Sequence, residues 1–294
     1  MSIWNAIGDA ITTATGEPFS VSRHSVIGGG CINSAYLVAD GERRYFIKLN
    51  DAACAEMFAA ERDGLLELRR ARAVRVPTPI ICGEAAGQAY IVLEHLPLTG
   101  GGPSSDAALG EQLARLHQST SAQFGWFRDN TIGSTRQRNT TNADWTAFWR
   151  SERLGFQLEL AATNGYTGAL QRRGAQLLEA LPALLGDHAP MPSLLHGDLW
   201  SGNRAVMECE VPVIFDPAVY YGDREADIAM TELFGPFPPR FYQAYQDVYP
   251  LDAGYPVRKT LYNLYHILNH LNLFGSGYLG QAEDMIARLL SEVR

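Results

Sequence analysis

Four kinds of feature are missing from this 294-residue sequence, and each absence excludes a class of protein. No apolar run is long enough to span a bilayer, and Met1–Gly16 has no basic stretch ahead of an apolar one. Neither a membrane span nor a secretory leader is therefore expected. Basic residues are not in excess. Lys and Arg total 24 against 32 Asp and Glu, a formal net charge of -8, which argues against a basic face for nucleic acid or membrane surfaces. A local basic pocket for phosphate stays open. Cysteine is scarce: Cys31, Cys54, Cys82 and Cys209 form no Cys-x-x-Cys pair and no cluster with zinc spacing. A disulfide scaffold does not suit a chain of this size, and a reducing cytoplasm is the expected compartment. Internal repeats and low-complexity segments are absent as well. What is there, 46% hydrophobic and 19% charged residues, can bury a substantial core.

The chain changes character about a third of the way along. Its first part reads as a short helix, Ser2–Thr13, then strands over Val21–Ile27, Ser34–Ala39 and Arg44–Leu49, with Asp40-Gly41 as a hairpin turn. Ala53–Arg72 has helical periodicity, with Phe58, Leu65 and Leu68 on one face, and Pro77 and Pro79 stop it. Two more strands are expected at Ile80–Glu84 and Ala89–Glu94. Pro97–Ser105, with three consecutive glycines and two prolines, has the composition of a linker. Beyond it helices are expected at Asp106–Ser119, Asn142–Asn164, Thr167–Leu185, Pro239–Tyr249, Val257–Leu273 and Tyr278–Val293. The reading is an α+β chain: a small strand-rich lobe over residues 1–96 with one main helix, a hinge at 97–105, and a larger, mostly helical lobe over 106–294.

The strongest chemical signal is Leu195-His196-Gly197-Asp198-Leu199-Trp200-Ser201-Gly202-Asn203, followed by Asp216-Pro217 at the end of an apolar run, Val211–Phe215. Phosphoryl transfer needs a carboxylate to orient the attacking hydroxyl and hard oxygen ligands to hold magnesium on a triphosphate. The H-x-D-x-x-x-x-N spacing puts both on one loop, and the strand delivers a third group. Asp198 is the candidate base, and Asn203 and Asp216 are the candidate metal ligands. Any one of these residues alone fits an Asp/Asn-rich turn equally well; the set at this spacing is what points to a kinase for ATP and Mg2+.

Two weaker signals point the same way. Gly28-Gly29-Gly30-Cys31-Ile32-Asn33 follows the first long strand, where glycines let backbone approach a phosphate. Lys48 lies on the third strand, and a lysine directed at phosphates needs a carboxylate partner. Glu61, deep in the next helix, is the expected partner, with Glu56 its rival. Glu94 to Leu96, at the end of an apolar strand before the linker, suit a hinge whose backbone could bond an adenine edge.

The chain resembles the fructosamine kinase (ketosamine 3-kinase) family, within the aminoglycoside- and choline-kinase-like branch of the protein-kinase-like fold. The resemblance rests on Gly29–Asn33, Leu195–Asn203, the run Asp216-Pro217-Ala218-Val219-Tyr220-Tyr221-Gly222-Asp223-Arg224-Glu225-Ala226-Asp227, and Leu264–Asn272, and it covers nearly the whole chain. It implies ATP-dependent phosphorylation of the third-carbon hydroxyl of ketosamines, the Amadori adducts of sugars on amines, free or on protein lysines. The phosphorylated adduct is unstable and its breakdown frees the amine, which is deglycation or metabolite repair. The departures from protein kinases are informative. The loop reads His-Gly-Asp, Asp216 is followed by Pro-Ala, and the gap to Asp227 is too short for a long activation loop. Asp227 is expected to brace the catalytic loop.

A helix following the catalytic elements in such a lobe is where an acceptor pocket is expected. On Val257–Leu273, Tyr262, His266 and His270 recur every four residues, with Asn269 beside them, and Trp200 would flank the attacking hydroxyl from the catalytic loop. Core histidines are the alternative for each, and no further ligand completes a zinc set. The family resemblance also implies redox sensitivity for Cys31, against a small buried filler. Competing assignments are a kinase for an aminoglycoside, choline or homoserine, and a catalytically silent nucleotide-binding module; the intact Lys48, Glu61, Asp198, Asn203 and Asp216 argue against the last.

Overall fold

A computed structural model describes residues 2–28 and 32–293. Gly29, Gly30 and Cys31 lie outside the described residues. The amino-terminal lobe is built on an antiparallel five-stranded sheet of order β1-β2-β3-β5-β4, from β1 (Arg23–Ile27), β2 (Ser34–Asp40), β3 (Arg43–Asp51), β4 (Pro79–Ala85) and β5 (Gln88–Glu94). Alternating side chains give each strand two faces. Val38, Ile47, Leu49, Tyr90 and Val92 meet Ile7 and Ile11 of α1 (Ile3–Thr15) on one face. On the other, Ile91 and Leu93 meet Phe58, Leu65 and Leu68 of α2 (Ala55–Ala71), the face expected from its periodicity. In this register Lys48 stands opposite Ala35 on β2 and Ile91 on β5, so it points to the α2 side.

The expected linker is partly ordered structure. Its Leu98–Thr99 forms a short strand, β6, that pairs with β10 (Arg204–Met207), itself paired with β11 (Val211–Ile214). A glycine-rich stretch shows no period, so a partner more than a hundred residues away was not legible. The larger lobe then runs through α3 (Pro103–His117), a hairpin of β7 (Asn130–Ile132) and β8 (Thr135–Gln137), and a broken helix: α4 (Trp145–Phe148), a π-helical stretch Trp149–Gly155, and α5 (Phe156–Thr163). The helix expected over Asn142–Asn164 is this composite. After α6 (Ala169–Leu185) come β9 (Ser193–Leu195), which pairs with β12 (Tyr220–Gly222), then α7 (Glu225–Leu233), α8 (Pro239–Val248), α9 (Tyr255–Phe274) and α10 (Leu279–Ser291). One continuous core unites α2 with these helices. Among the described residues no helix is long and apolar enough to cross a membrane.

Candidate active site

One turn and one hairpin bring the candidate catalytic groups together. The β9 strand ends at Leu195, the chain turns through His196–Asn203, and the antiparallel pair of β10 and β11 returns it to Asp216. Gly197 has φ 83, and a Cβ there would collide with the Ala218 carbonyl oxygen, so the two segments can close on each other only with glycine at this position. Asp216 itself has φ 57, a left-handed conformation that aspartate tolerates better than most side chains and that is uncommon outside glycine.

The loop is braced from below by wholly buried groups. Asp227, in the first turn of α7, accepts from the backbone N–H of His196 at 2.7 Å and of Gly197 at 2.8 Å, and contacts His117 Nε2 at 3.2 Å. Burial alone would push its carboxyl up, but the bonds from His117 and the backbone outweigh that, and its pKa lies below the ordinary value. The His196 ring donates from Nε2 to the Phe215 carbonyl at 2.9 Å and accepts the Asp198 N–H at Nδ1, a neutral tautomer that its burial enforces.

On this floor sit the groups with unused chemistry. Asn203 donates from Nδ2 to the Asp198 carbonyl at 2.8 Å and to Asp198 Oδ2 at 3.1 Å, which turns its amide oxygen outward. Burial, reinforced by the like charge of Asp216, lifts the Asp198 carboxyl to about 7. Lys48, only 5% exposed, donates to Glu61 Oε1 at 2.6 Å and to Asp216 Oδ1 at 2.5 Å. Burial would lower its pKa, yet the two carboxylates outweigh that and keep it a cation. Glu56, the rival partner, instead meets Arg128. The donor set fits a hard divalent cation: the Asn203 amide oxygen and the Asp216 carboxylate, whose repulsion with Asp198 a cation would relieve.

The remaining predicted residues divide. Ile32 and Asn33, at the exit of the glycine-rich turn, are tied down by Asn50, which donates to the Ile32 carbonyl at 3.2 Å and to Asn33 Oδ1 at 2.7 Å. Gly28 is exposed, and a Cβ there would meet nothing within 4 Å. Glu94's carboxylate is engaged by Arg75 and by the Thr78 N–H, and its own N–H donates to the Thr78 carbonyl at 2.8 Å, so only its backbone carbonyl is left for an adenine edge; Leu96, two residues on, is half-buried in the open segment after β5. Trp200 is 37% exposed and meets Phe234 edge-on at 6.5 Å; Phe234 in turn packs on His270 at 4.6 Å. His270 donates from Nδ1 to the His266 carbonyl, which leaves Nε2 as an acceptor, and burial keeps the ring neutral.

The α9 expectation needs correction at two residues. Tyr262 is fully buried; its hydroxyl donates to Asp223 and accepts from Trp145 Nε1. Asn269 is 2% exposed and engaged with the Ile132 carbonyl and Gln157. Both are held inside the core, because α9 is a central helix buried on most sides and a four-residue period cannot tell the inner face from the outer. His266 is also buried, with Nδ1 lacking a partner among the described residues and its pKa driven down to about 3, by burial first and then by His270. Phe234 was missed: it ends α7, whose nine residues gave no clear period. His117 was missed because nothing in α3 marks one polar residue on its buried face as a partner for Asp227.

Comparison with known proteins gives the chain its relatives. The fructosamine kinase family model matches residues 3–292. A "Probable ketoamine kinase" from Synechocystis sp. is 48% identical over 98% of this chain and 97% of that protein. The chloroplastic protein-ribulosamine 3-kinase of Arabidopsis thaliana is 43% identical over 92% of this chain and 83% of that protein. The crystal structure of a fructosamine-3-kinase homologue from Haemophilus somnus has a TM-score of 0.89 at 30% identity, covering 97% of this chain and 96% of that one. An aminoglycoside phosphotransferase in ternary complex with AMP-PNP and hygromycin B, at TM-score 0.64 and 17% identity, shares the fold. With a match running almost from end to end, the chain belongs to the fructosamine kinase family.

Proposed function

We propose that this enzyme transfers the γ-phosphoryl group of ATP to the third-carbon hydroxyl of ketosamines, the chemistry that its ribulosamine 3-kinase relative is named for. The observation that carries the reading is the convergence of Lys48, Glu61 and Asp216 beside the Asp198–Asn203 pair. The acceptor oxygen forms a bond to the γ-phosphorus as the bond to the β-phosphate oxygen breaks, and Asp198 takes the hydroxyl proton. Lys48, held by Glu61, would reach the phosphates nearest the leaving group. Asn203 Oδ1 and the Asp216 carboxylate would hold magnesium, which when bound neutralises charge on the phosphates. Gly28 to Asn33 would cover the phosphates, and the backbone from Glu94 to Leu96 would meet the adenine.

On the acceptor side, Trp200, Phe234 and His270 would bound the sugar. The Trp200 ring offers an apolar face for C–H groups, and the neutral His270 offers Nε2 as a hydrogen-bond acceptor. His266 lies one helical turn deeper on the same face of α9. Free ketosamines and glycated protein lysines both present this sugar unit. The deciding experiment is ATP turnover on ribulose-, erythrulose- and fructose-lysine side by side, with an aminoglycoside, choline and homoserine as controls. Turnover of a ketosamine alone supports the reading. Turnover of a control in preference, or nucleotide binding with no turnover on any, overturns it.

A further inference from the structure

The helix carrying Glu61 is fastened to the other lobe on both sides of that residue. Arg128, just before β7, is a forked cation whose side chain is 22% exposed. Nη1 donates to Asp63 at 2.6 Å and Nη2 to Glu56 at 2.7 Å. Glu56 and Asp63 are seven residues apart and share a face of α2. Arg62 holds the other oxygen of Asp63 at 2.8 Å. One residue further, a Cβ on Gly64 would lie 3.2 Å from Val219, so the helix backbone rests on the segment just past Asp216. At Glu67 the carboxylate accepts from the Tyr221 hydroxyl at 2.8 Å.

The other end of this connection is anchored to the metal-ligand segment. Asn139 donates to the Arg128 carbonyl at 3.1 Å, Asn130 to the Val219 carbonyl at 2.7 Å, and Gln137 to the Ala218 carbonyl at 3.0 Å. Arg128 therefore stands on a frame hydrogen-bonded to the residues two and three places after Asp216. In regulated kinases the position of such a helix decides whether its lysine–glutamate pair forms, and a phosphorylated loop controls it. Here the chain between Asp216 and Asp227 is too short for that loop.

We propose that Arg128 is a positioning residue that holds α2 in register with Asp216, so that Glu61 and Lys48 are set for ATP without a modification step. This rests on the reading that Lys48 and Glu61 orient the phosphates. Arginine suits the task because its planar fork serves two carboxylates at once, which a single ammonium cannot.

The test is a mutant cycle of Arg128→Ala against Glu61→Gln, reading kcat, both KM values and the affinity for magnesium AMP-PNP. Alone, Arg128→Ala should lower kcat/KM for ATP on the order of tenfold, with the ketosamine KM unchanged. In the Glu61→Gln background the same change should cost less than about twofold, because its route of action is already cut. Arg128→Lys should recover little. Equal losses in both backgrounds, or wild-type kinetics for Arg128→Ala, overturn the proposal. Should Arg128→Ala fail to fold, Asp63→Asn run through the same cycle gives the same decision. If the wild type turns over no ketosamine, the functional reading fails, while the AMP-PNP affinities still decide the role of Arg128.

Discussion

The floor of the candidate active site, from Leu195 to Asp227, and helix α9 are both dense in buried polar residues, yet they treat them in opposite ways. In the floor, buried groups such as Asp227 and His196 answer the backbone and leave Asp198, Asp216 and the amide oxygen of Asn203 with bonding capacity toward the cleft. In α9, Tyr262 and Asn269 are just as polar, but their groups are engaged inside the core with Asp223, Trp145, Ile132 and Gln157. The two regions differ in the bonding capacity left over after folding, not in residue type. His270 lies between the two cases, with one nitrogen engaged and the other without a hydrogen-bond partner among the described residues.

That contrast can be broken most severely at Asp198. Asp198→Asn keeps a polar group that still fits its bonds to Asn203 but cannot take a proton. A loss in kcat on the order of 10²-fold or more is expected, with magnesium-ATP binding retained. Steady-state kinetics beside nucleotide titration would check it, and near-normal turnover would show that leftover capacity does not mark function here. Asp216→Ala should instead remove the metal dependence of nucleotide affinity, because it deletes one of the two candidate oxygen ligands. Unchanged affinity and metal dependence in that variant would make Asp216 structural.

A second pair of variants sets the exposed acceptor wall against the core of α9. Trp200→Ala should raise the ketosamine KM about tenfold, the ~1.4 kcal/mol of a partly exposed ring contact, and leave the ATP KM alone. Tyr262→Phe should leave both KM values alone and lower stability by about 1–2 kcal/mol, since Trp145 Nε1 loses its acceptor and Asp223 a donor. Thermal unfolding and kinetics on the two proteins would be compared directly. A KM effect for Tyr262→Phe would restore it to the acceptor pocket.

The sequence made the floor legible because its groups lie close together along the chain, where spacing alone places Asp198 and Asn203 on one loop. Lys48 and Glu61 were legible for a different reason: a lysine directed at phosphates needs a carboxylate partner, and Glu61 lies deeper in the next helix than Glu56. Periodicity found the faces of α2 and the long helices. It could not orient α9, whose residues are buried on nearly every side. It was also blind to the β7–β8 hairpin, whose three-residue strands show no period. That hairpin is held by Asn130 and Gln137 bonding to carbonyls more than eighty residues away. Contacts of that kind follow from the closed fold and leave no local trace.

The smallest expected effect concerns the rim of the α9 network. His188 contacts Asp223 Oδ2 from Nε2 at 2.6 Å and Asp252 from Nδ1 at 3.2 Å. Burial works against its charge and so does Arg258, but the bond and charge of Asp223, joined by Glu225, prevail, and its pKa is raised above the ordinary value near 6.5. A group whose folded-state pKa is raised stabilises the fold fully below the unfolded pKa, and that contribution disappears as pH climbs through the folded value. The stability gap between the wild type and His188→Gln should therefore be widest below about pH 6.5 and narrow toward alkaline pH. Glutamine keeps a hydrogen-bond donor in place, so the part of the gap that changes with pH belongs to the imidazolium charge. Unfolding curves of both proteins from about pH 5.5 to about pH 9 would read it. A gap constant across that range would mean that His188 stays neutral in the folded protein and that Asp223 is held by Tyr262 and the backbone alone.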